Sequence, residues 1–128
     1  MKITLEADVN APGKARAHVA SQLITSQPPA GVLADKVVLI ASELVTNAVQ
    51  AGARSIDIDV RTAAGRLDLV VTDDAGGWPT PTSAALEDTA GRGLSIVEQL
   101  ADAWDVAPRD SGKVVTASWF SERASAGF

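Results

Sequence analysis

Two neighbouring stretches, RSIDIDVRT at 54–62 and RLDLVVTDD at 66–74, constrain the fold more than any other part of the chain. In the first, Ile56, Ile58 and Val60 recur at every second position, so an extended strand places them on one face. Leu67, Leu69 and Val71 do the same in the second. Ala63-Ala64-Gly65 is a short turn-forming link, which predicts a β-hairpin. One apolar face on such a hairpin calls for a second layer packed over it.

The remaining segments supply that layer and extend the sheet. Residues 11–26 carry Ala15, Val19, Leu23 and Ile24 at helical spacing, and Pro28-Pro29 end the run. A longer helix is expected over roughly 32–51, with Val38, Leu39, Leu44, Val45, Ala48 and Val49 as its apolar residues and Gly52 as its cap. Residues 2–7 alternate as a short strand. Residues 75–90 are rich in Gly, Pro, Ser and Thr, and a loop of that length is usually functional or disordered. A third helix follows Gly91–Gly93 as LSIVEQLAD. Trp104–Pro108 and Val114–Phe120 read as two final strands joined through Ser111-Gly112. Trp104 and Trp119 are expected in the core, Lys113 in the turn, and residues 121–128 as a fraying tail. This order predicts an α+β fold: a two-layer sandwich of a mixed, mostly antiparallel sheet with three helices on one face. With 128 residues and no linker or repeat, one domain spanning 1–128 is expected.

Charge and composition remove several function classes. A net charge of −5 argues against sequence-independent binding to nucleic acid or to an anionic membrane surface. No apolar run is long enough to span a bilayer, and MKITLEADVN lacks the apolar stretch of a signal peptide. The chain has no cysteine, which excludes disulfides and thiolate metal sites and fits a cytoplasmic location. The single histidine, His18, rules out a His/Cys metal cluster and reads as surface or boundary packing on the first helix.

Three groups of residues can carry chemistry. Asp73 falls in phase with Leu67, Leu69 and Val71, so its carboxylate is predicted to face the helix-covered side at the end of its strand. There it can accept a hydrogen bond from a ligand amine, with Gly76 and Gly77 letting the ligand approach the backbone. Asp73-Asp74-Ala75-Gly76-Gly77 is equally ordinary turn chemistry, so both readings stand. Gly91-Arg92-Gly93-Leu94 opens a helix, where free N–H groups and the helix dipole attract phosphate. A flexible loop end is the alternative there. The motif is neither a P-loop nor a dinucleotide fingerprint. Glu43 and Asn47 lie one helical turn apart in ASELVTNAVQ. Asn offers a neutral oxygen suited to Mg²⁺, and Glu one turn earlier can orient or deprotonate a nucleophile. A solvated Glu43 and a locally bonded Asn47 are the alternative. Trp78, beside Pro79, could cap a pocket or mark a partner contact.

In chain order these motifs are E-x₃-N-A on a helix, D-x-x-G-G after a hairpin strand, and G-x-G-L at a later helix start. Together they resemble the histidine-kinase-like, or GHKL, ATP-binding domain, above all the small bacterial anti-sigma-factor serine/threonine kinases. SELVTNAV and GRGLSIVEQLAD carry most of the resemblance, which runs from about residue 5 to residue 120.

The resemblance implies that Asn47 binds Mg²⁺ bridging the ATP phosphates and that Glu43 acts as general base or water-positioning residue. It implies that Asp73 accepts from the adenine amine and that Gly77 lets base and ribose lie close. Gly91, Arg92, Gly93 and Leu94 would hold phosphate, with 75–90 as a lid. Three positions depart from the family pattern: Ala75 stands for the first glycine of D-x-G-x-G, Ala51 for a common histidine, and Gly112-Lys113-Val114 for a Gly-Thr pair. Thr116 is then a displaced candidate for the missing threonine.

Two functions follow from the resemblance. One is a Mg-ATP-dependent protein kinase that phosphorylates an anti-anti-sigma partner and thereby regulates a sigma factor. The other is a non-catalytic nucleotide-binding module that acts by gripping its partner. Whether the chain works as a monomer or a homodimer stays open.

Overall fold

The computed structural model describes residues 2–26, 28, 31–75 and 96–121. Within these, five strands form one sheet: β1 (Lys2–Glu6), β2 (Ser55–Ala63), β3 (Arg66–Asp73), β4 (Ala103–Arg109) and β5 (Gly112–Phe120). Their order is β1-β2-β3-β5-β4. All four pairings of the described sheet are antiparallel, in keeping with the mostly antiparallel sheet expected. Helices α1 (Ala11–Ser26) and α2 (Ala34–Gln50) pack on each other. Residues 96–100 are helical and form the described part of α3.

The period-two pattern sets which face is covered. In β2 and β3, Ile56, Ile58, Val60, Leu67, Leu69 and Val71 are all buried, while the residues between them are at least partly open. Burying one such aliphatic side chain is worth about 1.5–3 kcal/mol, so a one-residue slip in register would forfeit the set. From β5, Val115, Ala117 and Trp119 join the same layer, and the Trp119 indole N–H donates to the Leu100 carbonyl at 2.9 Å. That bond ties α3 to the sheet.

Both helices meet the sheet through narrow stripes. Ala11, Ala15, Val19 and Leu23 recur every four residues along α1 and are buried. In α2 the stripe is Val37, Ile40, Ala41, Leu44, Val45 and Ala48, the spacing of one amphipathic face. Ile24 and Leu39, expected among the apolar contacts, are exposed, Ile24 far more than Leu39, because each sits outside its stripe. Trp104 also departs from expectation: it lies on edge strand β4 and keeps 37 % of its surface open. An edge strand has neighbours on one side only, so its large side chains are only half covered.

Gly52 stops α2 as anticipated. Its N–H donates to the Val49 carbonyl and the Ala53 N–H to the Ala48 carbonyl. This double closure needs a left-handed residue, and Gly52 has φ of +92°. The chain then enters β2 at Ser55, between β1 and β3. No helix of the described residues is long and apolar enough to cross a membrane.

Candidate functional site

The end of β3 carries two adjacent aspartates with opposite orientations. Asp73 continues the inward phase of Leu67, Leu69 and Val71 and is 6 % exposed, as its position in the alternation predicts. Asp74, one residue later, is exposed. Its Oδ1 accepts from the backbone N–H groups of Arg54 at 2.7 Å and Ser55 at 3.2 Å, which pins the exit of β3 to the entry of β2. The Arg54 N–H bond, then that of Ser55, holds the Asp74 carboxyl below the usual carboxylate range.

Both carboxylate oxygens of Asp73 are engaged. Oδ1 accepts from the Ala75 N–H at 2.9 Å, an aspartate turning back on its own chain. Oδ2 accepts from the Lys113 ammonium at 2.8 Å. Lys113 stands directly opposite Asp73 in the β3–β5 register and shares its face with Val115, Ala117 and Trp119. The two side chains are only 12 % and 3 % exposed for Lys113 and Asp73 respectively. A carboxylate this deep requires a partner, and Lys113 is that partner.

Lys113 was expected in a turn. The turn is in fact confined to Asp110 and Ser111, with Asp110 accepting a φ of +51°, so β5 begins at Gly112. The alternation Lys113, Val115, Ala117, Trp119 is visible in the sequence and was the signal that could have found it.

Gly112 makes this arrangement sterically feasible. A Cβ at that position would lie 1.8 Å from the Asp73 carbonyl oxygen and 2.7 Å from the Asp74 Cα. No side chain fits there without moving the backbone that presents Asp73.

On α2, the element lying over β3, Glu43 and Asn47 flank the apolar stripe and are half-buried. Their polar neighbours are satisfied: Arg16 donates from Nη1 to the Ser42 hydroxyl at 2.8 Å, and the Thr46 hydroxyl donates to the Ser42 carbonyl at 2.8 Å. Asn47 differs. Its Oδ1 is shut off from solvent and has no hydrogen-bond partner; among the described side chains only the Ser26 hydroxyl shares that state. An acceptor left so costs about 1–3 kcal/mol, which makes it a feature to be explained. A neutral amide oxygen in this state fits Mg²⁺, a hard cation that takes few protein ligands and keeps water and phosphate for the rest. Among the described residues no cluster of three or more His, Cys, Asp or Glu could hold a metal, so a cation at Asn47 would need such outside ligands.

The structure does not bring Thr116 to this group. It pairs with Val70 and Asp105, out of phase with Asp73, and therefore lies on the opposite face of the sheet. Strand parity forbids a threonine three residues after Lys113 from sharing its face. Gly77, Trp78, Gly91, Arg92, Gly93, Leu94 and the expected lid at 75–90 beyond Ala75 lie outside the described residues.

The described residues thus form an antiparallel sheet under a helical layer, with an inward aspartate at a strand end and an Asn on the covering helix. The chain belongs to the histidine kinase-like ATPase domain family, whose model matches residues 5–119. Among solved structures it is similar to the RsbU and RsbW domains of Rv1364c from Mycobacterium tuberculosis. That match has 20% identity and a TM-score of 0.68, over 94% of this chain and 31% of that one. The histidine kinase domain of the blue-light activated kinase of Erythrobacter litoralis EL346 matches at 18% identity and a TM-score of 0.56, over 91% of this chain and 64% of that one. The catalytic domain of histidine kinase ThkA matches at 12% identity and a TM-score of 0.54, over 94% and 96% of the two chains. The chain thus spans less than two thirds of the first two structures, and all three likenesses concern the fold. No curated protein matches the sequence.

Proposed function

We propose that this domain binds Mg-ATP and transfers the γ-phosphate to a serine or threonine of a small protein partner, through which it regulates a sigma factor. The observation that carries the nucleotide reading is the Asn47 Oδ1, buried without a partner on the helix over β3. Asn47 would hold Mg²⁺ there, and the ion would neutralise phosphate charge during transfer. Asp73, inward at the end of β3, would accept from the adenine amine; two of its roughly four lone-pair sites remain after Ala75 and Lys113 are counted.

Phosphoryl transfer asks for positioning and charge stabilisation more than for covalent chemistry. In the proposed step the partner's hydroxyl oxygen bonds to the γ-phosphorus and the bond to the β-phosphate bridging oxygen breaks, leaving ADP. Glu43, one turn before Asn47 and half-buried, would take the hydroxyl proton. The likeness in fold to the RsbW-containing structure supports a protein partner of the anti-anti-sigma kind, and a cytoplasmic setting accords with such a partner.

A second reading keeps the nucleotide without turnover. It is favoured by Ala75, whose methyl is buried at the strand end where the family pattern has glycine, and by Lys113 where that pattern has threonine. The two readings separate in one experiment: γ-labelled ATP with anti-anti-sigma candidates, comparing the native chain with Glu43→Ala. Transfer falling about 100-fold or more in the variant, with ATP affinity kept, is the expected outcome for a kinase. ATP binding with no transfer to any partner would leave the module. Failure of Asn47→Ala to weaken Mg-dependent ATP binding would remove the site assignment itself.

A further inference from the structure

The role of Lys113 extends beyond neutralising Asp73. Its ammonium carries three donors, of which one is spent on Asp73 Oδ2, and the carboxylate keeps free lone pairs of its own. The pair therefore offers a donor beside an acceptor. Its geometry is held from several sides: Lys113 and Asp73 are cross-strand partners, Asp73 is fixed by the Ala75 N–H, and the bare Gly112 lets the two strands close. A lysine on a flexible stem normally samples many positions, but this one is largely buried and tethered.

We propose that Lys113 is a base-reading residue: with Asp73 it forms a donor–acceptor pair for the edge of adenine, Asp73 accepting from the N6 amine and Lys113 donating to N1. This inference rests on the nucleotide reading above and names a specificity determinant within that site. A carboxylate alone reads only donors, and guanine can also offer donors, from N1–H and the N2 amine. A fixed donor next to the carboxylate removes that ambiguity. Adenine presents a donor followed by an acceptor, in the order that meets Asp73 and then Lys113. Guanine in the same pose sets its O6 acceptor against Asp73 and its N1–H donor against Lys113, so both contacts become repulsive. Sites built on paired polar contacts reject the wrong ligand because their buried groups are left unmatched.

The test is calorimetric titration of the whole chain with ATP, with 1-deaza-ATP (whose N1 is replaced by C–H) and with GTP. The native chain is compared with Lys113→Met and Lys113→Gln, each checked for folding by circular dichroism. The native chain should bind 1-deaza-ATP about 10-fold or more weaker than ATP, the size of one hydrogen bond to a charged group. Lys113→Met should bind ATP and 1-deaza-ATP within about twofold of each other and should discriminate less against GTP. Lys113→Gln, which keeps a neutral donor, should fall between the two. Equal binding of ATP and 1-deaza-ATP by the native chain overturns the proposal without any variant having to fold. So does a full 1-deaza penalty persisting in Lys113→Met, because a purely structural lysine would weaken both ligands alike. If the native chain binds no ATP, the nucleotide reading fails and this inference with it; ATP binding without an N1 penalty removes Lys113 alone.

Discussion

Asp73 and Asn47 both carry side-chain oxygens in sheltered surroundings, yet the chain treats them in opposite ways. Asp73 has a backbone N–H on one oxygen and the Lys113 ammonium on the other. Asn47 Oδ1 has nothing. The contrast divides the candidate site into a half whose charge the fold has already paired and a half without any partner. A buried charge cannot be left open, because its desolvation would unfold a marginally stable domain. A neutral amide oxygen can, at a cost of about 1–3 kcal/mol that a ligand then recovers. The charged group is pre-paired, and the neutral one is available.

Four measurements would break or sharpen this division. The largest effect is expected from Lys113→Met, which strands the Asp73 carboxylate: stability in urea should fall by about 3–5 kcal/mol. A loss below about 1 kcal/mol would mean that water replaces the ammonium and that the two halves are alike. Next is Gly112→Ala. Its methyl meets backbone and not a yielding side chain, so a loss of about 1–3 kcal/mol is expected. A neutral result would show that the strand end presenting Asp73 can shift freely.

Asn47→Ala should be smaller still in the absence of ligand. Lost packing and the removal of an orphan acceptor offset each other, leaving a change within about 1 kcal/mol. Mg-dependent ATP binding by calorimetry should nevertheless disappear. A large destabilisation would show that Asn47 is structural, which would erase the contrast with Asp73. The smallest effect belongs to Asp74, whose carboxyl is held low by the Arg54 and Ser55 N–H groups. A depressed carboxyl contributes stability that is present above its unfolded pKa and lost as pH falls through its folded one. The loss should therefore set in below about pH 4, and Asp74→Asn should flatten that limb of the stability–pH profile. An unchanged profile would mean that these two backbone bonds add nothing to the anchoring of β3.

Much of the fold was legible because periodicity is a local property. The alternation through Ile56 to Val60 and Leu67 to Val71 foretold both strands and their buried face. Helix α1 ends at Ser26 just before the proline pair, and the double closure at Gly52 stops α2. Misreadings fell where a residue's burial depends on what lies beside it. Trp104 is bulky and apolar, but it landed on the sheet edge; Ile24 and Leu39 are apolar, but lie off the stripe that meets the sheet.

The site shows the same split. The inward direction of Asp73 was readable from phase alone, and the Glu43–Asn47 spacing from the helix repeat. The face of Thr116 was readable too, since its parity along β5 differs from that of Lys113.

The sequence by itself determined the elements, the covered face of the hairpin, and the inward carboxylate at the end of β3, because each depends on neighbours within a few positions. Only the tertiary structure decided that β5 pairs with β3, and so that Lys113 meets Asp73 across forty positions of chain. It alone left Asn47 Oδ1 without a partner. Strand order and the satisfaction of buried polar groups are properties of the assembled core, where distant segments must share one low-dielectric space, and no local pattern encodes them.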